Sequence, residues 1–331
     1  MTKFLLSHDI GTSGNKATLF STDGELIKSV TYAYDTQYFN GNWAEQNPDD
    51  WWKAVVNTTK TLLAGVDAKD IAAVAFSGQM MGCLCVDEKG VPLKNSVIWA
   101  DMRATAQAEA LEEKIGRQEF YRITGHRASA SYSLEKLMWL KENEPDTYRA
   151  AYKMLQCKEY IIYRLTGAFC TEYSDASGTN ILDLKKGVWS GKILDAAKIA
   201  GEKLPEIKKS TDVAGTVTRE AAEQTGLLAG TPVVMGGGDG QCAAVGAGCV
   251  KEGIAYNYLG SSSWISLATR EPILDEEMRT FNWAHIVPGY YGPCGTMQCA
   301  GGSYSWLKNN LGKYESEYAA EHQLNPYQLI D

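Results

Sequence analysis

Two aspartates set among small residues are the first candidates for chemistry. Asp9 ends an apolar run and opens the segment Asp9-Ile10-Gly11-Thr12-Ser13-Gly14-Asn15-Lys16. Gly11 and Gly14 let backbone N–H groups approach an anion, and Thr12 and Ser13 bring hydroxyls that donate to phosphate oxygens. Asp9 can hold Mg²⁺ through water. The same residues also make an ordinary tight turn followed by a surface Lys16. Asp239 lies in Gly236-Gly237-Gly238-Asp239-Gly240, just before an Ala- and Gly-rich helix expected over 241–245. A carboxylate at such a helix start, free of neighbouring bulk, can face a ligand and accept the proton of a hydroxyl. It can equally serve as a helix cap. A third segment, Ser77-Gly78-Gln79-Met80-Met81-Gly82, follows an expected strand and can present an amide to a polar small molecule, or simply bury its methionines.

Other chemistries find no support. The segment Gly238-Asp239-Gly240-Gln241-Cys242-Ala243 fits a dinucleotide fingerprint, but no acidic residue lies near 20 positions on to bind a ribose. No G-x-x-x-x-G-K-[ST] is present. The 8 cysteines are scattered without a C-x-x-C pair, and none of the 4 histidines lies three to five residues from another, so neither a zinc framework nor an HExxH site is expected. The cysteines read as reduced, mostly buried thiols. Lys plus Arg number 32 against 40 Asp plus Glu, and the net charge of −8 has the wrong sign for a phosphate-backbone binder. Nucleic acid is therefore not an expected partner. No apolar stretch approaches the roughly 20 residues a membrane helix needs, and the N-terminus lacks an apolar signal segment, so a cytoplasmic chain with no membrane partner is expected.

The elements that must position these residues are legible from pattern. Apolar runs at 4–10, 16–20 and 25–34, separated by Gly-containing turns, predict a β-meander. Asn47-Pro48-Asp49-Asp50 reads as a helix start with Asn47 as cap and Pro48 at the first helical position. Strands are expected at 71–77, 83–87, 97–99 and 232–235. Helices are expected near 104–114, 133–143, 159–165, 190–200 and 219–225. A hinge is placed at 246–252, where small residues absorb backbone rotation. Beyond it, strands at 254–259 and 264–268 flank Gly260-Ser261-Ser262, echoing the N-terminal hairpin and its Gly11-Thr12-Ser13 turn and suggesting an internal duplication with a cleft between the halves.

Taken together, the motifs resemble the FGGY carbohydrate kinases, most closely the xylulokinase branch. The resemblance runs from Asp9-Ile10-Gly11-Thr12-Ser13 through Trp43-Ala44-Glu45-Gln46-Asn47-Pro48, Gly78-Gln79-Met80 and Trp99-Ala100-Asp101-Met102-Arg103. It continues with Ser133, Lys136, Trp139 and Asn143, then Ser174-Asp175-Ala176-Ser177-Gly178-Thr179 and Gly236-Gly237-Gly238-Asp239. It implies an α/β chain of the ribonuclease H-like (actin-like ATPase) fold, with a complete N-terminal sugar-binding domain at 1–248 and an incomplete ATP-binding domain at 249–331. It also implies an ATP-dependent kinase that passes the γ-phosphate to a ketose or polyol, with ATP and Mg²⁺ as cofactors.

By the same resemblance Asp239 is the catalytic base. Asp9 and Asp239 are the metal-associated carboxylates. Gly11, Thr12, Ser13 and Lys16 form the first phosphate turn, and Gly260, Ser261 and Ser262 the second. Gln79, Met80, Met81, Asp239 and Gly240 fall at the sugar. The chain departs from the xylulokinase pattern in reading Gln79-Met80-Met81-Gly82 for Gln-Met-His-Gly and Gly238-Asp239-Gly240 for Gly-Asp-Asn. Two hydrogen-bond partners for sugar hydroxyls are thereby lost, which leaves the sugar open. The chain is also expected to cover roughly two-thirds of a family member, stopping before the Gly-rich segment around the adenine. The alternative is thus a catalytically inactive sugar-binding module lacking the adenine half. A homodimer stays open.

Overall fold

The computed structural model describes residues 3–297 and 299–331. Phe4–Ile10 (β1), Gly14–Ser21 (β2) and Leu26–Ala33 (β3) form the expected antiparallel meander. Alternation buries Leu6, His8 and Ile10 of β1 on one face and turns Asp9 to the other. Pro48–Leu63 (α1) starts as its sequence predicts, with Asn47 accepting the Asp49 N–H at 3.0 Å. Its buried Trp51, Trp52, Val55 and Leu62 cover the β1–β2 face. Each such side chain removed from water contributes about 1.5–3 kcal/mol. His8 belongs to this interior: Asn15 and Thr59 hold its two ring nitrogens, it stacks on Phe76, and burial pushes it down to about 4.

Ile71–Gly78 (β4) lies parallel to β1, aligning Asp9 with Ser77 and Ile10 with Gly78. The chain then makes a long excursion through Ser133–Asn143 (α2), Cys157–Thr166 (α3) and Tyr173–Ser177 (α4) before returning as Val213–Thr216 (β5). Arg219–Thr225 (α5) leads into Pro232–Gly238 (β6), which runs parallel to β4 on its free side. The sheet order is β5-β6-β4-β1-β2-β3. Helices α1, α3 and α5 share one core with it through Trp51, Tyr160, Ile161 and Ala221. The excursion builds a second core around Leu111, Phe120, Leu134, Leu137 and Ile181.

Asp239–Gly246 (α6) follows β6 directly. Beyond it, Ala255–Leu259 (β7), Ser263–Leu267 (β8), Phe281–Ala284 (β9) and Tyr291–Met297 (β10) form a sheet of order β7-β8-β10-β9, followed by Gly301–Asn310 (α7) and two further short helices. The β7–β8 hairpin fulfils the expected echo of β1–β2. The echo stops at the third strand, because β8 pairs with β10 whereas β2 pairs with the strand next in sequence.

Four local expectations are corrected. The strand at 97–99 shrinks to Ser96–Val97, since the chain turns where the Asp101 N–H bonds the Ile98 carbonyl. The strand expected to stop at Met235 runs on to Gly238. The helix expected over 190–200 spans only Gly191–Ala197, ended by Lys198 in a left-handed conformation. The stretch past Gly167, for which no element is expected, contains α4, whose start is capped by Glu172 accepting the N–H groups of Ser174 and Asp175. The cysteines are unbridged; Cys242 is half-buried, Cys299 exposed and the others buried. Among the described residues no helix is long and apolar enough to cross a membrane.

Candidate functional site

The parallel strands β1, β4 and β6 end side by side, with Ile10 paired to Gly78 and Gly78 to Gly238. Ligands of open α/β sheets collect at this carboxyl edge. The first turn lies there. Its carbonyls are committed inward: Gly11 accepts from the Tyr34 hydroxyl at 2.5 Å, and Thr12 accepts from Gln46 Nε2 at 2.6 Å. Trp99 Nε1 donates to Thr12 Oγ1 at 2.9 Å, which leaves the Thr12 hydroxyl proton free to donate elsewhere. Lys16 stands directly opposite Asp9 on β2 and is exposed.

Gln79 is placed differently from the other sugar-facing candidates. It is buried, and its Nε2 donates to Gln46 Oε1 at 2.7 Å and to the Gly11 carbonyl at 3.4 Å. Gln46 Oε1 also receives Trp51 Nε1 at 2.9 Å. Gln79 therefore braces the first turn from behind and does not line the cavity beside Asp239.

The glycine run before Asp239 has a steric cause. Gly236 has φ +67, and a Cβ there would fall 1.8 Å from the Phe76 carbonyl oxygen. A Cβ at Gly238 would meet Met80 Sδ at 2.5 Å. The β6 register slips between Val234 and Gly237, so the strand end is re-aimed as α6 begins. Gly238 occupies the cap and Asp239 the first helical position, so the carboxylate is not consumed as a cap; among the described residues its Oδ1 accepts only the Gly240 N–H, at 2.7 Å. Water reaches the carboxylate from the cleft, while protein crowds it on the other sides. Desolvation by the protein crowded around this otherwise exposed residue pushes Asp239 up to about 6 against the pull of the Gly240 N–H, and the neighbouring Asp9 charge adds to the rise.

Beneath β6 lies a network that motif reading does not reveal. Lys158 Nζ sits 3.3 Å from Glu172 and 3.1 Å from Asp175, and donates to the Met235 carbonyl at 3.2 Å. Glu172 accepts the Ser174 and Ser210 hydroxyls at 2.6 Å each, and Ser174 Oγ in turn accepts the Gly238 N–H at 2.9 Å. A fixed chain of polar contacts thus runs from Lys158 to the residue before Asp239. Two further motifs also meet. Arg103 bonds Asp101 at 2.7 Å and Glu45 at 2.8 Å and lies 3.8 Å over the Trp43 ring, while Asp101 accepts the Ala44 N–H at 2.6 Å.

Asp239, Gly240, Met80 and Met81 come together around a cavity of about 190 Å³. Met81, where the family pattern has His, adopts φ +65. Trp264 and Trp283, from the second sheet, close the cavity. So does Gln241, which is buried and whose Oε1 has no partner among the described residues. Sequence reasoning overlooked all three, although Gln241 lies two positions beyond Asp239 at the same helix start. A larger cavity of about 640 Å³ lies near Lys89, Tyr163 and Arg164, but it holds neither aspartate and neither turn.

The second turn is built like the first. The Gly260 N–H bonds the Ser262 carbonyl, and the carbonyls of Gly260 and Ser261 accept N–H groups from Gly301, Ala300 and Gly302 at the start of α7. Backbone acceptors are again satisfied on one side. Among the described residues no cluster of three or more His, Cys, Asp or Glu could cage a metal.

Comparison with known proteins agrees with this architecture. The FGGY family of carbohydrate kinases, N-terminal domain, matches residues 4–246. A Bacillus subtilis protein named Xylulose kinase is 32% identical over 316 residues, covering 95% of this chain and 63% of its own length. A Gluconokinase of the same organism is 29% identical over 330 residues, covering 100% of this chain and 64% of its own. The crystal structure of xylulose kinase from Rhodospirillum rubrum superposes with a TM-score of 0.90 at 26% identity, over 97% of this chain and 66% of that one. The chain spans less than two thirds of the length of the curated relatives it matches. With the ribonuclease H-like architecture and the collinear motifs both in place, the chain belongs to the FGGY family of carbohydrate kinases, and residues 4–246 are its N-terminal domain.

Proposed function

We propose that this chain carries the acceptor-binding and base-supplying part of an ATP-dependent carbohydrate kinase, with Asp239 as the catalytic base. The observation that carries the reading is the Asp239 carboxylate at the carboxyl edge of the sheet, open to the cavity, bonded among the described residues only to the Gly240 N–H and pushed up to about 6. A base of that strength is ionised at neutral pH yet can accept a hydroxyl proton. Asp239 orients the acceptor hydroxyl and takes its proton as the oxygen–phosphorus bond forms; the bond from the γ-phosphorus to its bridging oxygen breaks, and ADP leaves with the electron pair.

The names of the relatives, Xylulose kinase and Gluconokinase, support a sugar or sugar-derived acceptor. Trp99, Trp264 and Trp283 offer it apolar faces, and the unpartnered Gln241 amide offers a hydrogen bond. The turns at 11–13 and 260–262 supply N–H and hydroxyl donors for phosphate, with Lys16 beside the first, and residues 249–331 read as the beginning of the nucleotide-binding half. The donor set fits Mg²⁺. Asp9 and Asp239 are close enough to repel, both are exposed, and both are hard oxygen donors, which suits an ion that keeps most of its waters and shares them with phosphate. When bound, the ion neutralises charge on the transferring phosphoryl group.

An ADP-release assay across ketoses, polyols and sugar acids, paired with binding calorimetry, tests the assignment. Asp239→Asn is expected to lower turnover by about 10²- to 10⁴-fold with acceptor binding retained. Full activity in that variant would remove Asp239 as the base.

A further inference from the structure

The cavity beside Asp239 does not end there. It shares Met81, Trp99, Trp283, Cys294 and Thr296 with a cleft of about 590 Å³ that reaches Arg127, Ser129 and Ser131. The two ends differ in charge. Asp239 stands at one, and the nearby Asp9 charge acts on it. At the other, Arg117 is already paired with Glu112 at 3.0 Å, whereas Arg127 has no carboxylate partner among the described residues. The Arg127 guanidinium lies 5.3 Å over the Phe281 ring, which holds its plane, and its own carbonyl accepts Asn180 Nδ2 at 3.3 Å. The shared waist offers little polar chemistry. The indole N–H groups of Trp99 and Trp283 are spent on Thr12 Oγ1 and Cys294 Sγ.

A cleft with a base at one end, flat apolar faces in the middle and an unpaired planar cation at the other reads its ligand by the two termini. A planar guanidinium matches a carboxylate through two parallel hydrogen bonds. The aspartates repel an anion at their own end, so the orientation is fixed by repulsion as well as attraction. We infer that the acceptor is a linear polyhydroxy acid of the aldonate class, its carboxylate on Arg127 and its far hydroxyl presented to Asp239. This rests on the carbohydrate-kinase reading above and adds the class of acceptor. It also accounts for the missing imidazole: Met81 lines a waist that recognises carbon faces, while discrimination passes to the ends.

Titration calorimetry with D-gluconate, D-glucitol and D-xylulose tests it, since the first two differ at one terminus only by carboxylate against hydroxymethyl. D-gluconate is expected to bind at least tenfold tighter than D-glucitol at pH 7, with the gap narrowing as salt is added. Arg127→Met is expected to abolish that preference by weakening D-gluconate far more than D-glucitol, and Arg127→Lys to restore part of it. Arg127 is exposed, so these variants should fold normally, which circular dichroism checks. Equal or tighter binding of D-glucitol, a preference that survives Arg127→Met, or binding of D-xylulose alone would overturn the inference and leave the kinase reading standing. Binding of none of the three would likewise overturn the inference, and the wider ADP-release panel then decides the kinase reading separately.

Discussion

Lys158→Met tests whether the polar network under β6 is a structural keystone. The side chains of Lys158, Glu172 and Asp175 are all 0% exposed. Burial pushes the Glu172 carboxyl up, but Lys158 and the Ser174 and Ser210 hydroxyls outweigh it and hold the net value below the usual range. Burial drives Asp175 well above its ordinary value even beside the ammonium. Removing the ammonium strands both carboxyls. Breaking a buried pair by deleting one partner costs about 3–5 kcal/mol, against a total stability of about 5–15 kcal/mol. With a urea slope of roughly 3 kcal/mol/M, the midpoint should fall by on the order of 1 M.

The loss should depend on pH with a defined sign. Without Lys158, burial of the carboxyls is opposed only by hydrogen bonds, so Asp175 is expected to rise further and Glu172 to rise with it, above the unfolded value of about 4. Such groups contribute stability that is present below the unfolded value and lost as pH rises through the folded one. The deficit relative to the parent should therefore be larger at pH 8 than at pH 5, and Lys158→Met with Asp175→Asn should recover part of it at pH 8. Urea titrations at the two pH values provide the measurement. A deficit below about 1 kcal/mol, or one equal at both pH values, would refute the buried-charge reasoning.

Three further outcomes are expected. Because Asp239 must be ionised to accept a proton and is pushed up to about 6, kcat/KM should rise with pH through about 6 and then level off, and this limb should vanish in any residual activity of Asp239→Asn. Ser174→Ala takes the acceptor from the buried Gly238 N–H, at a cost of about 1–3 kcal/mol; steady-state kinetics should show a lower kcat with little change in KM, and normal kcat would remove Ser174 as a positioning residue. Gly236→Ala combines a left-handed backbone with a 1.8 Å clash against the Phe76 carbonyl, so thermal melts should show loss of cooperative folding, and a melt like that of the parent would contradict the geometry assigned to β6.

The sequence makes local features readable and hides those made by distant segments. Asn47, Pro48 and the acids after them specify the start of α1 through neighbours in the chain, and α1 begins there. The β1–β3 meander and the helix after Asp239 are signalled in the same local way. Helix α4, with five residues, is too short for any periodicity to register, and its cap is a Glu. Gln79 looks like a sugar ligand in its motif, but its Nε2 is held by Gln46, 33 positions away, a contact that nothing local in the chain announces. Trp264 and Trp283 reach the Asp239 cavity only because the second sheet folds against the first, which no motif around Asp239 announces. The Lys158 network escapes notice for the opposite reason: a lysine in a helix ordinarily signals solvent, and only the return of residues 172–175 and 235–238 turns it inward.

The strand order also sets a timetable for synthesis. β4 pairs with β1 early, but its other edge waits for β6, and roughly 150 residues separate Gly78 from Pro232. At about 5–20 residues per second, a ribosome needs on the order of 10–30 s to supply the missing strand. Throughout that interval the backbone N–H and C=O groups along the outer edge of β4 have no strand to pair with, and pairing across so long a loop is intrinsically slow. The nascent chain is thus most vulnerable to clumping just before Asp239 emerges. Asp239 arrives on the segment that seals the sheet, so the candidate site takes shape only as the sheet closes.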